Sequence, residues 1–192
     1  VLASHFHPDH FNKEVLQWRE QRPDIIYIFS KDILRHRRAQ KEDAVWLKKG
    51  EEYKDETLSV RAFGSTDVGV SFLLQASGKK IFHAGDLNNW HWMDESTEAE
   101  WKGAEKNFLH ELDDLYAYTP EVDVAMFPVD PRLGKEYMRG AGQFVTKIKT
   151  HIFVPMHFTP EYAKANAFRD FAEAHGVRFV SLTHRGQKIE IE

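Results

Sequence analysis

The chain has 192 residues, 42% of them hydrophobic and 29% charged, with 26 Lys and Arg against 30 Asp and Glu, a formal charge of −4 and no cysteine. That composition suits one globular domain with a sizeable core. It excludes a disulfide framework and thiolate metal ligands, and it lacks the basic stripe of nucleic-acid binders. The basic run Arg35-His36-Arg37-Arg38 reads as the solvated end of a helix. No apolar run approaches the roughly 20 residues that span a bilayer, and no signal-peptide pattern is visible, so a cytoplasmic protein is expected. The opening Val1-Leu2-Ala3 reads as the end of a buried strand, so residues upstream of Val1 are expected to be missing.

Short strands alternate with helices, the pattern of an α/β or α+β layered fold. Asn12 can cap a helix over residues 12–21, which Pro23 and Asp24 end. Residues 25–29 are a continuous apolar run suited to a buried strand, and Ser30 can cap a helix over 31–40. Residues 44–47, 57–63, 68–75 and 80–84 read as strands, with turns at Gly50, Gly64 and Ser77-Gly78. Residues 97–116 form a strong amphipathic helix in which Trp101, Ala104, Phe108, Leu112 and Leu115 recur at steps of three and four. A strand at 122–127, a helix at 135–149, a strand at 152–155, a helix at 161–175 stopped by Gly176, and strands at 177–182 and 187–191 complete the chain. No repeat or linker divides it, so residues 1–192 are expected to form a single domain.

The chemistry concentrates in Ser4-His5-Phe6-His7-Pro8-Asp9-His10. A strand ends near Ser4, so the period of two lets His5 and His7 project the same way. Pro8 breaks the strand and leaves Asp9 and His10 in the turn before a helix. Imidazole and carboxylate ligands at such a corner suit Zn²⁺. Asp86, behind the tight-turn glycine of His83-Ala84-Gly85-Asp86, and His157, in Pro155-Met156-His157, each follow a strand. Ligands at the ends of separate strands can converge on one edge of a sheet.

His-x-His-x-Asp-His followed by Gly-Asp and a late Pro-x-His resembles the metallo-β-lactamase superfamily over nearly the whole chain, and most resembles its branch of small metal-dependent hydrolases that includes ascorbate-phosphate lactonase-like proteins. The resemblance implies a four-layer αββα sandwich, here lacking its first N-terminal strands. It implies that His5 and His7 bind a first metal and Asp9 and His10 a second, that Asp86 bridges them, and that His157 completes the second site. Two divalent ions are implied, Zn²⁺ first and Mn²⁺ or Fe as alternatives. The superfamily's third histidine of the first site is absent from Phe63-Gly64-Ser65-Thr66-Asp67-Val68-Gly69. Either Asp67 or a hydroxyl of Ser65 or Thr66 replaces it, or the first site is weak. Asp67 is the better ligand of these, and a capping turn residue is its plain alternative.

A metal pair that holds hydroxide at neutral pH points to hydrolysis of an ester, lactone, amide or phosphoester. Asp9 can orient that hydroxide, and His83 or His91 can supply the leaving-group proton, although His83 reads first as a packed strand residue or a support for a ligand. Asn88-Asn89-Trp90-His91-Trp92 follows Asp86 and is either a pocket wall or an anchor for the next helix. Asp130 can bond a ligand histidine and Arg132 an anionic substrate group, or the two simply pair with each other. The expected partner is a small, anionic or neutral metabolite. A nuclease of the same fold is the first alternative, disfavoured by the acidic charge; a metal-binding relative without turnover is the second. A homo-oligomer is compatible with the sequence.

Overall fold

The computed structural model describes residues 1–190. Among these described residues, ten strands form two sheets. Strands β1 (Leu2–Ala3), β2 (Ile28–Ser30) and β3 (Val45–Leu47) run parallel in the order β1-β2-β3. The larger sheet contains β4 (Glu52–Lys54), β5 (Leu58–Phe63), β6 (Ser71–Ala76), β7 (Lys79–His83), β8 (Glu121–Pro128), β9 (Lys149–Met156) and β10 (Arg178–Phe179) in the order β10-β9-β8-β7-β6-β5-β4. Its β4–β7 half is antiparallel and its β7–β10 half parallel.

Side-chain alternation along the strands sorts the apolar residues into layers. In β2, Ile28 points between the sheets and packs with Leu47, Val60, Ala62, Val70 and Phe72. Its neighbour Phe29 points outward, to Phe11, Tyr27 and Ile33. That outer cluster carries α1 (Lys31–Arg35) and a 3-10 segment, Lys13–Glu20. On the far face of the larger sheet, Leu73, Phe82, Ala125 and Phe153 meet Phe108, Leu112 and Leu115 of α2 (Glu98–Tyr118) and Phe144 and Val145 of α3 (Arg139–Lys147). The order helix, sheet, sheet, helix is the expected αββα sandwich. Each fully buried Phe or Leu contributes roughly 1.5–3 kcal/mol of apolar transfer.

Helix α2 starts where its sequence directs. The Thr97 hydroxyl accepts the Glu100 N–H, and the Glu100 carboxylate accepts the Thr97 N–H at 2.8 Å. Other expected helices are shorter. The segment after Asn12 winds as a 3-10 helix, and α1 ends at Arg35 because Arg37 turns left-handed, φ 54°. The expected helix over 135–149 is reduced to α3, and Gly134, at φ 80°, kinks the 3-10 segment Pro131–Glu136 that precedes it. The stretch 161–175 divides into α4 (Tyr162–Asn166) and α5 (Arg169–Ala174). The bend drives Phe168 into the core against Phe153, while the Asn166 amide bonds both backbone groups of Leu182.

The charged strand β4 was not expected; its place is set by pairing with β5. Strand β10 is shorter than the expected 177–182. Residues 187–190 form no strand, and Ile191 of that expected strand lies outside the described residues. Val180, Leu182 and Ile189 instead cover Val124 and Ile152 of the larger sheet.

Candidate metal centre

Because β7, β8 and β9 are parallel, their carboxyl ends lie along one edge of the larger sheet. Strand β5 runs with them, so the β5–β6 loop, residues 64–70, reaches the same edge. The chain leaving β1 is tied there by the Val70 N–H, which donates to the Ser4 carbonyl at 3.1 Å. Five stretches, distant in the chain, therefore meet outside strand ends, the usual place for a site in α/β sheets.

The loop 5–10 is a tight corner in which His10 and Phe11 N–H both donate to the His7 carbonyl. Helix α1 supports it from below: Asp32 accepts the Phe6 N–H at 3.1 Å, and Phe6 stacks on His36 at 3.7 Å. Asp86 follows Gly85, whose φ of 55° and tight approach to Ser4 and the Val70 carbonyl suit a residue without Cβ.

The geometry converges on Asp86. Its Oδ2 lies 3.3 Å from His5 Nε2; its Oδ1 lies 3.2 Å from His10 Nε2 and 3.4 Å from His157 Nε2. Ligand atoms of His5, His7 and Asp86 lie within 4.8 Å of one another, as do those of Asp9, His10 and His157. His5 is fully buried, its Nδ1 sits 3.0 Å from the Ser4 hydroxyl, and its Nε2 has no hydrogen-bond partner. Asp86 Oδ1 is likewise buried and unpartnered. Buried polar atoms rarely lack partners, and two such orphans within one imidazole–carboxylate cluster fit a divalent cation.

The electrostatics agree. Burial, then the charges of His10 and His7, push His5 down to about 3, so it presents at pH 7 a neutral imidazole of the kind a metal needs. Burial raises the Asp86 carboxyl above its ordinary value, against the opposing pull of His10 and His157. Burial also opposes ionisation of Asp130, but hydrogen bonds from His157 and Arg132 outweigh it and hold this carboxyl at about 2.

Asp130 is the orienting group. Its Oδ2 accepts from His157 Nδ1 at 2.9 Å, which fixes the proton on Nδ1 and turns the Nε2 lone pair toward Asp86. Arg132 grips the same carboxylate through Nε and Nη2. The two readings of the Asp130-Arg132 pair are therefore both present in part: Asp130 holds His157 and also pairs with Arg132. We expect Asp130→Asn to weaken the ion held through His157 by about 10–100-fold. Metal titration would measure this, and unchanged affinity would remove Asp130 from the role.

Other expected residues fall elsewhere. Asp67 is exposed on the cavity wall but belongs to neither ligand group. The Thr66 hydroxyl is committed to the backbone of Asn88, donating to its carbonyl at 2.5 Å and accepting its N–H at 2.9 Å, and Ser65 Oγ accepts the Asp67 N–H. In the first group, Asp86 is the third member beside His5 and His7. His91 does not suit a proton donor: it is 1% exposed, its Nδ1 accepts the Met93 N–H and its Nε2 donates to the Glu136 carbonyl. His83 accepts the Gly85 N–H at Nδ1, and it too lies off the cavity wall. Both are better read as pins of the loop that carries Asp86.

Sequence reasoning missed Gly69, which lets the β5–β6 loop lie against Ser4 and His5; only its glycine identity hinted at this. It also missed the half-buried network in which the Asn89 amide bonds Glu105 and Gln143, anchoring the Asp86 loop to α2 and α3.

No protein-family model matches the chain, and no curated protein matches it by sequence. Solved structures do. A metallo hydrolase from Ignicoccus hospitalis, Igni18, superposes with a TM-score of 0.61 at 17% identity over 95% of this chain and 75% of that one. A putative metal-dependent hydrolase from Parabacteroides distasonis gives 0.60 at 17% identity, covering 93% and 73%. The metallo-β-lactamase fold protein YhfI from Bacillus subtilis gives 0.59 at 10% identity, covering 94% and 72%. The fold is thus the metallo-β-lactamase fold. Within it, this chain gathers two neighbouring groups of possible metal ligands, with Asp86 a member of the first and close to His10 and His157 of the second.

Proposed function

We propose that this protein is a metal-dependent hydrolase of a small metabolite, acting on an ester, lactone, amide or phosphoester. The observation that carries the reading is the placement of Asp86, one oxygen toward His5 and the other toward His10 and His157, with unpartnered buried atoms on both sides. His5, His7 and Asp86 would hold one ion, and Asp9, His10 and His157 with Asp86 the other. The all-nitrogen-and-oxygen donor set favours zinc, with manganese and iron as alternatives. Such a pair supplies Lewis acidity and lowers the pKa of water toward 7, roughly.

The protein's own residues do the rest. Asp130 keeps His157 in one tautomer, and Ser4 holds the buried ring of His5. Asp9 and Asp67 place carboxylates on the cavity wall, where they can take up or return a proton at the reacting group. The cavity of about 380 Å³ suits a small molecule. The motif resemblance points further, to the branch of ascorbate-phosphate lactonase-like enzymes. No helix among the described residues is long and apolar enough to cross a membrane.

The test is metal analysis joined to turnover. Purified protein loaded with zinc is expected to hold two equivalents and to hydrolyse members of a panel of p-nitrophenyl esters, lactones and phosphodiesters. His157→Ala should retain one equivalent and lose most activity. A wild-type protein that binds no metal, or binds two and turns over nothing, would defeat the hydrolase reading.

A further inference from the structure

The wall of the metal cavity divides by chemistry. His7, Asp9, Asp86 and His157 are ligand candidates. Apart from these, its large apolar surface is the two indoles of Trp90 and Trp92, and its cation is Arg132. We propose that the substrate carries a single carboxylate held by Arg132 and a flat apolar body laid on Trp90 and Trp92; this rests on the hydrolase reading above.

Arg132 has the required donor. Its Nε and Nη2 are bound to Asp130, which leaves Nη1 with no hydrogen bond among the described residues. Its side chain is 54% exposed. Nη2 lies 3.3 Å from His157 Nδ1, so the guanidinium sits one imidazole away from Asp86. A guanidinium already sharing its charge with one carboxylate suits a singly charged partner better than a dianion, and its planar fork matches a carboxylate.

The indoles supply the second half. Their rings are near parallel, 16° apart with centroids 6.4 Å from each other, and Trp90 meets His157 edge to face at 5.4 Å. Trp90 Nε1 is occupied by the Asp86 carbonyl at 2.8 Å, so that ring offers its apolar surface and not its donor. Trp92 is held at φ 43° and His157 at φ 61°, conformations that bulky residues keep only where their surroundings impose them.

Those surroundings join the two halves. His91 bonds the Met93 N–H and the Glu136 carbonyl, pinning the tryptophan loop to the segment that carries Arg132. Gly134 approaches Asp94 so closely that a Cβ would meet its carboxylate at 2.0 Å, and Asp94 accepts the Lys135 N–H. Cation and indoles are thus presented as one prearranged unit, which lowers the ordering cost of binding.

The test is calorimetry on zinc-loaded protein with three probes: benzoate, its neutral counterpart benzamide, and acetate, which lacks the ring. We expect benzoate to bind at least about tenfold more tightly than either, a difference of about 1.4 kcal/mol. Arg132→Gln should cancel the preference over benzamide, and Arg132→Lys should restore part of it. Trp92→Gly, which leaves the left-handed backbone accessible, should cancel the preference over acetate. Equal binding of benzoate and benzamide by the wild type overturns the proposal, as does a preference that survives Arg132→Gln, since the anion would then sit on the ions. Equal binding of benzoate and acetate removes the indoles. Absence of any hydrolysis with this selectivity intact would sink the hydrolase reading alone; hydrolysis of neutral esters without the selectivity would sink this inference alone.

Discussion

Replacing Asp86 with alanine is expected to abolish binding of both metal ions and to bring hydrolysis down to background. One carboxylate faces both ligand groups, with His5 on one oxygen and His10 and His157 on the other. Losing even a residue that merely supports a metal ligand costs about 10–100-fold in affinity, so losing a shared ligand should cost more at each site. The stability change should have opposite signs in the two states. Without metal, burial raises the Asp86 carboxyl, so its ionised form is less favourable in the folded chain than in the unfolded one. Stability from this group is present at low pH and is lost as pH rises past the ordinary carboxylate range. The metal-free Asp86→Ala protein should therefore melt at or above the metal-free wild type at pH 7. Zinc at 100 times its Kd would stabilise the wild type by about 2.7 kcal/mol and leave the variant unmoved. Calorimetric melting with and without zinc reads both signs. Two retained equivalents in the variant would refute the bridging role.

The second large effect is expected at Gly69. Its φ is 75°, and a Cβ there would lie 2.0 Å from the Ser4 carbonyl oxygen and 2.5 Å from His5 Cβ. These neighbours are backbone and the root of a fully buried side chain, so neither can yield without moving His5, the first proposed ligand. Gly69→Ala combines a left-handed penalty of about 1–2 kcal/mol with overpacking of about 1–3 kcal/mol. The sum, roughly 2–5 kcal/mol, is a large part of a typical domain's stability. Gly78 is the matched control: it has the same φ of 75° but nothing within 4 Å of its would-be Cβ. Gly78→Ala should cost only the backbone part. Urea denaturation of both variants would separate the two terms, and equal losses would show that the contact with Ser4 and His5 does not matter. Gly69→Ala should also weaken the metal held through His5 and His7, because the displaced strand end carries them.

How much of the site was legible can be followed residue by residue. His5, His7, Asp9 and His10 stand together in sequence, so their cluster needed no folding to be seen. Asp86 and His157 were legible as strand-end residues, and the structure brings both to that cluster. Asp67 was one candidate among Ser65, Thr66 and Asp67, and its position between two strands does not reveal that it lines the cavity outside both ligand groups. His91 shows a different limit of local pattern. A histidine between two tryptophans resembles a cavity residue, but its ring turns inward and spends both nitrogens on main-chain groups, one of them 45 residues away. Nothing local announces such a partner.

The sequence by itself determined the layered fold, the amphipathic α2 with its capping box, and the presence of a His- and Asp-rich corner, because each follows from short-range periodicity and local hydrogen bonding. Only the tertiary structure decided that Asp86 stands between two ligand groups, that Asp130 orients His157, and that Arg132 and the two indoles share one wall. These depend on the parallel register of β7, β8 and β9 and on loop packing against Ser4. Register and packing are set by contacts between residues far apart in the chain, which local pattern does not encode.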